Sequence, residues 1–73
     1  MGYEFVIHLN DHTPPNVHVF KGDGECRILL EPLVVLDKVW GMKEPEVRKA
    51  LRIARTHTDH LASEWERIHG TPD

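Results

Sequence analysis

The sequence predicts an α+β domain in the order β-β-β-β-α: a small four-stranded antiparallel meander followed by one long C-terminal helix. Three observations carry this. Apolar residues alternate with polar ones through the first half of the chain. A glycine-rich turn, "KGDGE", separates two such stretches. From Glu44 onward the apolar period lengthens to that of a helix.

The first strand is expected at about residues 3–9, "YEFVIHL". Tyr3, Phe5, Ile7 and Leu9 would share one face, and Glu4, Val6 and His8 the other. The stretch "NDHTPPNVHV" (10–19) turns the chain into a second strand at about 17–21. Gly22 and Gly24, around Asp23, are expected to supply the positive φ of a tight hairpin. A third strand, about 25–31, places Cys26, Ile28 and Leu30 on one face and ends at Pro32, which has no N–H for a ladder. A fourth is expected at about 33–39, although so short an apolar run is also compatible with a helix start.

The helix is expected over about 44–69. Val47, Leu51, Ala54, Thr58, Leu61, Trp65 and Ile68 are spaced alternately by four and three, which makes one apolar stripe. Pro45, Glu44 and Glu46 suit its first turn, and Gly70 with Pro72 suits its end. A straight helix of this span would be about 39 Å long, whereas strands of this size reach only about 17–20 Å. Leu61, Trp65 and Ile68 would then overhang the sheet, so a homodimer or a small protein partner gripping the C-terminal half of the helix is expected.

A chain of 73 residues is read as a single domain, 1–73. Its one cysteine, Cys26, excludes an intrachain disulfide and suits a reduced, cytoplasmic setting. The sequence contains no membrane-length apolar run and no signal-peptide pattern. The formal net charge of −3 does not indicate a nucleic-acid binder. Residues 43–56 are the exception: five basic side chains against two acidic ones leave that stretch at +3 and the remainder at −6.

Histidines carry the candidate chemistry. His12 and His18 flank Pro14 and Pro15, beside Asp11. Two imidazoles at a stiff corner could act as general base and general acid in phosphodiester cleavage, with Arg48, Arg52 and Arg55 holding phosphate. His12, His18 and His57 are the weak candidates for a metal site, but their spacing matches no standard zinc pattern, so neither a metal nor a cofactor is expected. The plainer reading is a proline corner whose histidines bond nearby backbone. Arg48, Arg52 and Arg55 form a strip at i, i+4 and i+7, and solubility, with Arg55 paired to Asp59, explains it as readily as ligand contact. Trp65, on the apolar stripe, is the expected partner-binding residue.

"NDHTPPNVHVFKGDGE" and "THTDHLASEW" together resemble the bacterial family of domains of unknown function numbered 4160. The first stretch is similar to that family's His-x-Pro-Pro-His-x-His-Val signature and glycine turn. The second is similar to its late-helix pattern of His, Leu and Trp. On this match His12, Pro14, Pro15, His18, Val19, His57, Leu61 and Trp65 occupy family positions. Asn16 stands where many members have histidine, which removes one ligand from a three-histidine metal site, and His60 stands where many have glutamate. The resemblance implies a small soluble protein often encoded beside a second small protein, in an arrangement like a toxin–antitoxin pair. It implies no established activity. The function expected is therefore a non-enzymatic protein-binding module, with a small histidine-dependent ribonuclease or a histidine metal-binding protein as the alternatives.

Overall fold

The computed structural model describes residues 2–70; Pro72, read above as a helix-stop signal, lies outside them. β1 (Glu4–Val6), β2 (Asn16–Lys21), β3 (Gly24–Leu29) and β4 (Val35–Trp40) are followed by α1 (Glu44–Thr56) and α2 (Thr58–His69). The sheet order is β1-β2-β3-β4, antiparallel throughout, as the meander predicts. Both helices cover one face. Val17, Val19, Cys26, Ile28 and Leu30 pack there against Val47, Ala50, Ala54 and Leu61, with Tyr3, Phe5 and Ile7 at the margin. No helix among the described residues is long and apolar enough to cross a membrane.

The β2–β3 hairpin joins Lys21 to Gly24 through the two-residue loop Gly22–Asp23. Only Gly22 of the two expected glycines takes positive φ, +58°. Gly24 is needed for space: a Cβ there would lie 2.8 Å from the Gly41 carbonyl oxygen and 2.8 Å from the Met42 Cα. The start of β3 thus rests directly on the β4–α1 connection.

One expected element is corrected, the single helix, and the expected fourth strand carries an irregularity. Arg27 faces Lys38 and Ile28 faces Leu36, so Asp37 is the extra residue of a bulge. The bulge puts Leu36 and Val39, three apart in sequence, on the helix side. Val35 and Trp40 take the open side.

The single long helix is two helices. It is interrupted at His57, whose backbone (φ −112°, ψ 27°) leaves the helical region. Thr58 Oγ1 donates to the carbonyls of Ala54 and Arg55, competing for groups the next turn would use. The apolar stripe still continues across the break, with Val47, Ala54, Leu61 and Trp65 buried. The overhang expected from helix length is filled from within the chain. The β1–β2 connection, residues 7–15, extends beyond the sheet and lies over α2. Phe5 and Ile7 line one cleft with Leu61 and Ile68, and Thr13, Pro15 and Glu31 line another with Trp65. Trp65 is only 6% exposed and stacks on His69, ring centres 3.7 Å apart. It is therefore an intrachain core residue, and is not the exposed partner-binding side chain expected of it.

Candidate functional site

The open face of the sheet is where the histidine chemistry lies. Alternation along β2 sends Val17 and Val19 into the core and Asn16, His18 and Phe20 to the other face. His18 is nevertheless only 8% exposed. Its Nδ1 lies 2.7 Å from Glu25 Oε2, and its Nε2 lies 3.1 Å from Asp11 Oδ2. The His8 ring meets it edge-on at 4.3 Å, and the rings of Phe20 and Trp40 lie roughly parallel to it at 6.5 and 6.4 Å. Neutral imidazole has one N–H donor. Both contacts are hydrogen bonds only when the ring is protonated on both nitrogens or one carboxyl carries a proton. His18 therefore forms a clasp between strand β3 and the β1–β2 connection, and meets carboxylates where backbone partners were expected.

The corner itself is built around Asn16, 4% exposed. Its Nδ2 donates to the carbonyls of Pro14 at 2.9 Å and His12 at 3.3 Å, while its Oδ1 is buried without a partner. The Thr13–Pro14 peptide is cis. Pro15 closes the corner onto the sheet by accepting from the Leu30 N–H at 2.8 Å.

His12 is exposed and lines an open cleft of about 350 Å³ with Asp11, Asn16, Arg27 and Asp37. His18 is not among the residues that line that cleft; its partner Asp11 is. Arg27 is also engaged, its Nε donating to Asp37 Oδ2 at 2.7 Å. His57 sits at the α1–α2 junction, in the layer on the other side of the sheet from His18. Among the described residues no group of three or more His, Cys, Asp or Glu is arranged to hold a metal ion. The Asp11–His18–Glu25 cluster shows why: the two carboxylates engage opposite nitrogens of one ring and do not converge on a point.

Arg48, Arg52 and Arg55 also lie in the helix layer, around a shallow cleft of about 500 Å³ with Leu51 and Thr56. Arg55 does not pair with Asp59 as expected; its Nη2 donates to the Val34 carbonyl at 3.2 Å, just before β4. Arg48 pairs with Glu44 at 3.1 Å. The sheet thus separates His18 from the three arginines.

Beside the arginine strip is a feature the alternation pattern missed. All six residues of β4 are exposed. Leu33 is 69% exposed, Val35 40%, Leu36 39%, Val39 40% and Trp40 45%. These side chains follow one another along a single edge of the sheet. The available signal was the run "LVVLDKVW" itself, which is apolar for both faces of a strand that the predicted meander leaves at the edge.

The sequence pattern of the DUF4160 family, described as a domain of unknown function, matches residues 2–66. The chain belongs to this family. No curated protein and no solved structure matches it. The DUF4160 match spans the proline corner, the whole sheet and most of α2, so the clasp and the exposed edge both lie within the family domain.

Proposed function

We propose that this DUF4160 protein is a non-enzymatic protein-binding module that receives its partner along the β4 edge, as one half of a two-protein pair of the toxin–antitoxin kind. The observation that carries this reading is the set of exposed apolar side chains on β4, Val35, Leu36, Val39 and Trp40, which flank Asp37 and Lys38 on both faces of the edge strand. Isolated surface leucines need no explanation, but a contiguous apolar patch on an edge strand with unpaired backbone groups is a template for strand addition. The bulge at Asp37 and the charge of Lys38 limit indiscriminate pairing, so the edge is selective. The histidines support a structural role here: His18 is clasped, and His69 Nε2 donates to the His8 carbonyl at 3.0 Å, tying α2 to the end of β1.

The test is affinity purification of the full chain from its host beside its Val39→Asp variant. The parent should retain a stoichiometric protein partner that the variant loses, with both melting at similar temperatures. If both variants carry the same associated proteins, or both run as partnerless monomers by light scattering, the reading fails.

A further inference from the structure

The docking reading locates a partner but does not describe it. The chemistry bordering β4 does. The connection from β4 to α1 is only Gly41–Lys43, so α1 runs back beneath β4. The Arg55–Val34 hydrogen bond fixes which side of α1 faces that edge. Arg48, Arg52 and Arg55 therefore form a guanidinium strip alongside the strand, on the helix side, next to exposed Leu36 and Val39. Of the three, only Arg48 has a carboxylate partner among the described residues. The rest of the molecule is strongly acidic, with residues 43–56 at +3 in a chain of net −3. A negatively charged segment is attracted to this edge and repelled elsewhere.

Symmetry argues against a second copy as the occupant. Two identical edge strands that pair antiparallel in a continuous sheet are related by a dyad perpendicular to the sheet. That operation keeps both helix layers on the same side, so the arginine strips of the two copies would face each other across the dyad. Like charges opposed in this way disfavour the homodimer.

We propose that β4 accepts a fifth strand from a different, acidic protein. The added segment alternates, with apolar side chains beside Val35 and Trp40 on the open face and carboxylates on the helix face within reach of Arg48, Arg52 and Arg55. Arginine suits this task because its planar fork binds carboxylates through paired hydrogen bonds. The inference rests on the docking reading and adds the partner's charge pattern to it.

Backbone amide shifts of the isotope-labelled full chain test it, titrated with three short synthetic peptides that alternate valine with glutamate, with lysine or with serine. The valine–glutamate peptide should move the amides of Val35–Trp40. Its affinity should fall about tenfold in an Arg48→Glu/Arg52→Glu variant, and should weaken in the parent as salt rises. Equal or tighter binding of the lysine or serine peptide at β4 overturns the acidic partner while leaving β4 a docking edge. Self-association of the parent that Val39→Lys reverses also overturns the foreign partner and leaves the edge. No response at β4 to any peptide overturns both the inference and the reading beneath it.

Discussion

At the scale of single residues, His18 shows how a histidine placed in an active-site-like motif can serve structure. Both nitrogens of the buried imidazole face carboxylates of the same chain at 2.7 and 3.1 Å, which ties the ring into the fold. Removing it leaves Asp11 and Glu25 facing each other without the donor between them. His18→Ala should therefore destabilise the fold by about 2–3 kcal/mol, below the full cost of breaking a buried pair because both carboxylates keep some exposure. Urea denaturation checks this: the midpoint should fall with little change in slope. The motif displayed His18 and Asp11 together, but Glu25 was harder to see. It is the diagonal neighbour of His18 across the hairpin, since His18 faces Arg27 and Phe20 faces Glu25. Only a committed hairpin register would have supplied it.

Cys26 offers a second residue-level test. Burial pushes its thiol above the ordinary value, with the neighbouring Glu25 charge adding to the effect. A thiol that ionises less readily in the fold than in the unfolded chain keeps its proton while the unfolded chain loses it. Stability should thus hold below the ordinary thiol range, about 8.5, and fall as pH rises through it, levelling off once the folded thiol also ionises. Melting temperature measured from neutral to alkaline pH should show that fall, and Cys26→Ala should reduce it. A disulfide-exchange reagent should label Cys26 slowly in native buffer and rapidly in denaturant.

At the scale of elements, the two helices show what periodicity can and cannot establish. The stripe from Val47 to Ile68 correctly identified the face that packs, because burial repeats every three or four residues however the axis runs. It could not reveal the break at His57, which arises from local hydrogen bonding by the Thr58 hydroxyl. Nor could it show that the β1–β2 connection covers α2. Trp65→Ala should consequently cost about 3 kcal/mol or more as a core cavity, which is enough to unfold much of so small a domain. Trp65→Phe should cost less, and neither variant should change the oligomeric state of the folded fraction; thermal melts with sedimentation check both. Gly24 makes the same point for the sheet. Gly24→Ala should destabilise by about 1–3 kcal/mol, because the added methyl meets backbone that cannot rotate away. Its neighbour Gly22→Ala should be strained through its positive φ, with no steric contact of its own.

At the scale of the whole molecule, the asymmetry between the sheet edges matters most. β1 is a three-residue edge, followed by a connection folded onto α2. β4 is twice as long, apolar and uncovered. Helix α1 packs beneath β3 and β4, and the strip of arginines runs along its side toward the β4 edge. The isolated chain should nevertheless stay monomeric as its concentration rises, because pairing two copies through β4 opposes their arginine strips, and Val35→Lys or Val39→Lys should change neither its size nor its melting temperature. Light scattering over a concentration series checks this.

By itself the sequence determined the strand order, the core face of β2 and β3, the β2–β3 hairpin and the buried stripe of the helices, because each follows from periodicity or from the chemistry of a short local segment. The proline corner was equally legible. Three things were decided only by the tertiary structure. The register across the hairpin brought Glu25 to His18. The packing of the β1–β2 connection turned Trp65 from an expected interface into core. The bulge and the edge position of β4 left its apolar side chains exposed beside Arg48, Arg52 and Arg55. Each depends on residues distant in the chain meeting in space, and one-dimensional spacing carries no record of which surfaces remain uncovered once they have met.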